Sequence, residues 1–326
     1  MNRRAVDVDD LVDRARQGQP RAVARLISLV EDGAPELRDV ARALAPYTGR
    51  AQVVGITGPP GVGKSTSTNV LVSALRAAGK KVGVLAVDPS SPFSGGALLG
   101  DRVRMQDHAL DTGVFIRSMA TRGHLGGIAW ATPQALRVLD AAGCDVVLVE
   151  TVGVGQSEVE VVSLADTTLV LLAPGMGDGI QAAKAGILEV ADIFVVNKAD
   201  RDGADQTVRD LKYMISLGRR DQEGARWRPP IVRTVASRAE GVAELAAAIE
   251  EHRDWMVAHG ELDDRRQRRA EAEIEAIALE QLRERLGDVR RGSDLSGGLS
   301  GLAKRVVVGE LDAYRAADDL IADLGV

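Results

Sequence analysis

The residues best suited to chemistry fall in a few short runs. Gly58-Pro59-Pro60-Gly61-Val62-Gly63-Lys64-Ser65 fits the pattern G-x-x-x-x-G-K-[ST] at every position. Glycines there let the backbone wrap so that successive N–H groups point at an anion, and a helix opening after the loop presents its N-terminus to the same charge. Lys64 is expected to bridge the β- and γ-phosphates of a nucleoside triphosphate, with the Ser65 hydroxyl as a ligand to Mg²⁺. Asn197-Lys198-Ala199-Asp200 fits N-K-x-D. One carboxylate, Asp200, can accept from both N1–H and the exocyclic amine of guanine, a donor pair that adenine lacks. Asn197 and Lys198 are expected to hold the loop and cover the ring. Ala236-Ser237-Arg238 occupies the place from which a backbone N–H meets guanine O6, although the usual order there is Ser-Ala.

Glu150-Thr151-Val152-Gly153 stands where D-x-x-G is expected, with Glu in place of Asp. A carboxylate there reaches Mg²⁺ directly or through water, and the Gly153 N–H reaches the γ-phosphate. The next residue, Val154, cannot orient an attacking water as a glutamine would. Gln156 is the nearby catalytic candidate, and the expected enzyme hydrolyses slowly until a partner or a loop movement helps it. Asp88, in Asp88-Pro89-Ser90-Ser91, and Asp101, in Asp101-Arg102-Val103-Arg104-Met105, are two further carboxylates. Each could reach Mg²⁺, polarise the lytic water, or serve only as a helix cap or turn carboxylate.

These runs need a frame that brings them together. Apolar strand candidates lie at Val53–Thr57, Val82–Val87, Val114–Ser118, Asp145–Glu150, Thr168–Ala173, Ile193–Asn197 and Ile231–Val235. Amphipathic stretches at 64–78, 132–142, 179–190 and 204–217 separate most of them. Alternation of this kind predicts an α/β fold, a P-loop NTPase with a doubly wound, mostly parallel sheet. Right-handed crossovers then bring the carboxyl ends of the strands, and with them the motifs, to one edge. The expected organisation is a helical N-terminal extension over 1–50, the nucleotide domain over 51–258 and a helical arm over 259–326. In the arm, a helix at 261–286 is followed by a break at Gly292, Gly297, Gly298 and Gly301 and a final helix near 310–323. Such an arm is suited to an oligomer or partner contact, or to packing on its own core.

Bulk properties narrow the classes. A net charge of -6 disfavours a nucleic-acid binder, and Arg265-Arg266-Gln267-Arg268-Arg269 is expected to be a solvated helix face. One cysteine, Cys144, excludes an internal disulfide, and His108, His124, His252 and His259 are too scattered to suggest a metal cluster. No apolar run has the length of a membrane span, so a cytoplasmic location is expected.

Taken together, Gly58–Thr66, Val87–Ser91, Asp101–Met105, Glu150-Thr151-Val152-Gly153-Val154-Gly155-Gln156-Ser157-Glu158 and Asn197–Asp200 resemble the methylmalonyl-CoA mutase-associated GTPases, the MeaB/ArgK group. The resemblance covers nearly the whole chain and is most specific at Glu150–Glu158. It implies a homodimeric chaperone that hydrolyses GTP to GDP with Mg²⁺. It also implies that the chaperone gates adenosylcobalamin delivery to an acyl-CoA mutase and protects that enzyme. It adds Thr66 to the phosphate loop, a dimerisation role for the C-terminal arm, and a third switch over Ala173–Lys184. Competing classes are a P-loop kinase linked to amino-acid transport, a metallocentre-assembly GTPase and a nucleotide-binding scaffold. Nothing resembles a kinase catalytic loop of the H-R-D-x-x-x-x-N type, since His252-Arg253-Asp254 is followed by His259 where that loop has Asn; this and the lack of a Cys/His-rich site disfavour the first two, and intact Lys64 and Ser65 disfavour the third.

Overall fold

The computed structural model describes residues 6–89, 106–108, 110–121, 131–151, 163–175, 190–217, 226–291 and 298–323. It divides into two compact units, Met1–Leu262 and Asp263–Val326.

The first unit opens with helices α1 (Val8–Arg16), α2 (Pro20–Glu31) and α3 (Leu37–Leu44). The Asp7 side chain caps α1 by accepting from the Asp10 N–H at 3.0 Å, and Pro20 starts α2 where its missing N–H costs nothing. Strands β1 (Gln52–Thr57), β2 (Val82–Pro89), β3 (Val114–Thr121), β4 (Val146–Thr151), β5 (Thr167–Leu172), β6 (Ile193–Val196) and β7 (Ile231–Arg233) follow. Between and after them lie α4 (Lys64–Ala77), α5 (Ala131–Ala141), α6 (Ala204–Leu217) and α7 (Val242–Ala258). The strands form one sheet in the order β3-β2-β4-β1-β5-β6-β7, and every described pairing is parallel.

Strands buried on both faces explain the continuous apolar runs. Along β4, Val147 and Val149 face a core shared with α1–α3 and α5. Val146 and Leu148, alternating with them, face the opposite core with Leu71, Val72 and Leu75 of α4 and Leu245 and Ile249 of α7. Across β5 and β6, Val170, Leu172, Phe194 and Val196 pack with Val208 and Leu211 of α6.

At the amino ends of the strands, carboxylates satisfy the entering backbone. Asp166 accepts from Val53 N–H at 2.9 Å, Asp192 from Thr168 N–H at 2.8 Å, and Asp145 from Lys81 N–H at 2.7 Å. The carboxyl ends carry the motifs.

Several expectations need adjustment. The β2–β3 ladder runs from Val82↔Val114 to Pro89↔Thr121, past the apolar pattern that suggested ends at Val87 and Ser118, because backbone pairing continues after hydrophobic alternation stops. Strand β7 ends at Arg233, since Val235 pairs with Glu240 to close a tight turn into α7.

The second unit comprises α8 (Glu261–Arg291), which starts just before it, α9 (Gly298–Val307) and α10 (Ala313–Asp323). The glycine break expected through Gly298 and Gly301 is therefore a helix at those positions. Leu302 buries its side chain and Lys304 and Arg305 occupy the last turn, where cations favour a helix C-terminus. These contributions outweigh the roughly 1 kcal/mol that a helical glycine costs. Among the described residues no helix is long and apolar enough to cross a membrane.

Candidate nucleotide-binding site

The phosphate-loop sequence leaves the carboxyl end of β1 and runs into α4, whose first residues are Lys64, Ser65 and Thr66. Three glycines make the turn. Gly58, Gly61 and Gly63 have φ of 140°, 79° and 97°, values that side-chain-bearing residues rarely adopt. Gly58 is constrained further, because a Cβ there would lie inside van der Waals contact of the Leu171 carbonyl oxygen on β5. Pro59 and Pro60 are partly to fully exposed in the loop, Val62 is buried beneath it, and Thr66 is exposed on α4. The Lys64 ammonium donates to the carbonyls of Gly58 at 2.5 Å and Pro59 at 3.3 Å.

Parallel register sets Glu150 beside Ile56, one residue before the end of β1. Glu150 is 1% exposed. Its Oε1 accepts from the Ser65 hydroxyl at 2.7 Å and its Oε2 from the Thr68 hydroxyl at 2.8 Å. The hydroxyl and carboxylate are hard oxygen donors, which fits the preference of Mg²⁺. Thr68 lay outside the sequence expectations: its partner is 82 positions away, and no local spacing announces it.

The base-side motif follows β6. Asn197, 2% exposed, ties three segments together. Its Nδ2 donates to the Val62 carbonyl at 2.8 Å, and its Oδ1 accepts from Thr234 Oγ1 at 3.2 Å and Ala236 N–H at 3.0 Å. Lys198 adopts a left-handed φ of 57° and donates from Nζ to the Gly61 carbonyl at 2.6 Å. That conformation costs a non-glycine residue on the order of 1–2 kcal/mol, and the flanking hydrogen bonds enforce it. Asp200 lies just beyond, with Arg238 Nη2 3.6 Å from its carboxylate. Arg238 also pairs with Glu240 at 3.0 Å.

Ala236, Ser237 and Arg238 form one helical turn. The Ala236 N–H is spent on Asn197 and the Arg238 N–H on the Val235 carbonyl at 2.9 Å. Among the described residues this leaves the exposed Ser237 as the member of the trio whose N–H has no protein acceptor.

The other expected positions divide in two. Asp88 lies within β2, paired with Ala120, rather than after the strand. Asp101, Gly153, Val154, Gln156 and most of Ala173–Lys184 lie outside the described residues. Cys144 packs against Leu139 near Gly83, and burial pushes its thiol up to about 12, so it is not a nucleophile at neutral pH.

Comparisons with known proteins place the chain in a family. Residues 23–290 match the family model described as methylmalonyl Co-A mutase-associated GTPase MeaB. A Pyrococcus abyssi protein, classed as a GTPase by name alone, is 48% identical, with 97% of each chain covered. GTPase ArgK of Escherichia coli is 38% identical over 79% of this chain and 80% of its own. The mouse methylmalonic aciduria type A homolog, a mitochondrial protein, is 34% identical over 96% of this chain and 79% of its own. A crystal structure titled LAO/AO transport system kinase superposes with a TM-score of 0.70 at 28% identity, covering 99% of both chains. The chain is a GTPase, and it belongs to the methylmalonyl-CoA mutase-associated GTPase MeaB family.

Proposed function

We propose that this GTPase is a nucleotide-timed chaperone of an adenosylcobalamin-dependent acyl-CoA mutase of the methylmalonyl-CoA mutase type. It gates cofactor loading and protects the mutase, acting in the cytoplasm as a homodimer. The match to MeaB along residues 23–290 carries this reading.

In the proposed site, the amides of Gly58–Ser65 and the opening of α4 receive the phosphates, and Lys64 turns from the loop carbonyls to the β- and γ-phosphates. Asp200 accepts from the guanine edge, the Ser237 N–H donates to O6, and Asn197 and Lys198 keep the loop and the base pocket in register. Ser65 and Glu150 hold Mg²⁺, directly or through water, with Asp88 and Asp101 as further carboxylates. When bound, the ion neutralises charge developing between the β- and γ-phosphates. Val154 cannot orient water, so turnover is slow until the partner or a movement near Gln156 completes the site.

Exposed apolar side chains on the second unit, among them Ile274, Leu279, Val307 and Tyr314, supply the proposed dimer contact.

The test is retention of a purified adenosylcobalamin-dependent methylmalonyl-CoA mutase on the immobilised chain. It is run with a non-hydrolysable GTP analogue, with GDP and without nucleotide. Retention is expected to change with the nucleotide, and mutase addition is expected to raise phosphate release. No binding in any state would overturn the partnership while leaving the GTPase intact.

A further inference from the structure

The Glu-for-Asp exchange at position 150 creates a problem that the structure answers on α4. A glutamate has one more torsion to fix than an aspartate, and an unpinned carboxylate pays rotamer entropy each time it is needed. Ser65 and Thr68 are three positions apart and share a face of α4. Their hydroxyls take the two oxygens of the one carboxylate, at 2.7 Å and 2.8 Å. Thr68 is fully buried and has a single proton to give. That proton has two acceptors in reach, the Lys64 carbonyl at 3.0 Å and Glu150 Oε2 at 2.8 Å. The charged acceptor wins, because a charge-assisted bond is about twice as strong as a neutral one.

We propose that Thr68 is a positioning residue for the metal site. By fixing Oε2 of Glu150 it directs Oε1 at the Ser65 hydroxyl, and so sets the affinity of the nucleotide complex for Mg²⁺. The inference rests on the assignment of Ser65 and Glu150 to Mg²⁺. Thr68 touches neither nucleotide nor metal in this scheme and acts through Glu150.

The experiment loads the full chain with mant-GDP and follows its displacement by excess GDP across a Mg²⁺ titration. In the wild-type chain Mg²⁺ is expected to slow dissociation. Thr68→Val keeps the shape and removes the hydroxyl. It is expected to raise the Mg²⁺ concentration for half-maximal slowing about tenfold, the scale of one charge-assisted hydrogen bond, while the rate in EDTA stays at the wild-type level. Thr68→Ser restores the wild-type half-point, which a merely structural role would not require. Thr68→Ala, expected to match the valine variant, provides the same reading if valine does not fold. A valine or alanine variant with the wild-type half-point overturns the proposal. So does an equal rise of the rate in EDTA, which would mean a loosened pocket. Wild-type dissociation indifferent to Mg²⁺ overturns the metal assignment itself, and the wild-type chain alone reveals it.

Discussion

Asp200 and Arg238 meet at the edge of the proposed base pocket, with 3.6 Å between Arg238 Nη2 and the carboxylate. At that exposed separation the pair contributes little to stability, so the carboxylate remains available to a ligand that offers two parallel donors. Guanine offers them and xanthine does not, since its 2-oxo group accepts where guanine donates. Asp200→Asn is therefore expected to lower GTP affinity at least about thirtyfold, the loss of a charge-assisted bidentate contact. Binding of xanthosine triphosphate should improve. Competition of both nucleotides against mant-GDP measures this, and an unchanged preference for GTP would remove Asp200 from base recognition. The position of Asp200 just after β6 was legible in the sequence because N-K-x-D is contiguous and follows an apolar strand. The work of Asn197 was legible only in outline: its three partners come from Val62, Thr234 and Ala236, which are brought together by the sheet alone. Thr68 was hidden more fully, in a run of Ser and Thr that reads as an ordinary solvated helix face.

The elements around the site are tied together behind it as well. Arg76, near the end of α4, makes a two-pronged contact with Asp111, with Nε and Nη2 each 2.9 Å from a carboxylate oxygen. The Gly113 N–H adds a third donor at 2.8 Å, and a side chain at Gly113 would run into the Arg76 guanidinium. The phosphate-loop helix is thereby latched to the entrance of β3. The hydrogen bond from Arg76, then that from Gly113, holds the Asp111 carboxyl below the usual aspartate range. A depressed folded value means that the latch contributes above the unfolded aspartate pKa of about 3.9 and is lost as pH falls through the lower folded value. Carboxyl-carbon NMR should find Asp111 titrating below an ordinary aspartate in the folded chain, and Arg76→Ala should return it toward the ordinary value. A normal midpoint in the wild-type chain would mean the latch is not formed in solution. At this scale the sequence was most informative. The helix expected over 204–217 is observed as Ala204–Leu217, and the seven strand candidates all correspond to strands. The ladder beyond Val87 and the helix through Gly298 were missed because each depends on a neighbouring element, β3 in one case and burial of Leu302 in the other.

For the whole molecule, the proposed chaperone needs two things from one chain: a nucleotide-sensitive site and a surface that keeps two copies together. The first unit carries the candidate site on a sheet buried on both faces. Among the described residues of the second, the buried apolar side chains are Leu302 and Ala316, while Ile274, Leu279, Val307, Val308 and Tyr314 are exposed. Ile274 and Leu279 stand out on α8 at 66% and 46% exposure, within a surface otherwise rich in Arg and Glu. Apolar side chains left in water on a long charged helix are what an isologous contact would bury, each worth about 1.5–3 kcal/mol when covered. Replacing both by Glu in the full chain sets like charges against each other across a two-fold contact and removes that gain. The expected outcome is a dimer dissociation constant raised by at least about a hundredfold, equivalent to about 2.7 kcal/mol, in sedimentation equilibrium. Mant-GDP binding should stay at the wild-type level, since neither residue belongs to the phosphate loop, the base pocket or the Glu150 cluster. A wild-type chain that sediments as a monomer would overturn the proposed homodimer, and a double variant that still dimerises at full strength would move the contact away from α8. If dimerisation falls and mutase retention falls with it while nucleotide binding holds, the second unit is a requirement of the partnership rather than an appendage of the GTPase.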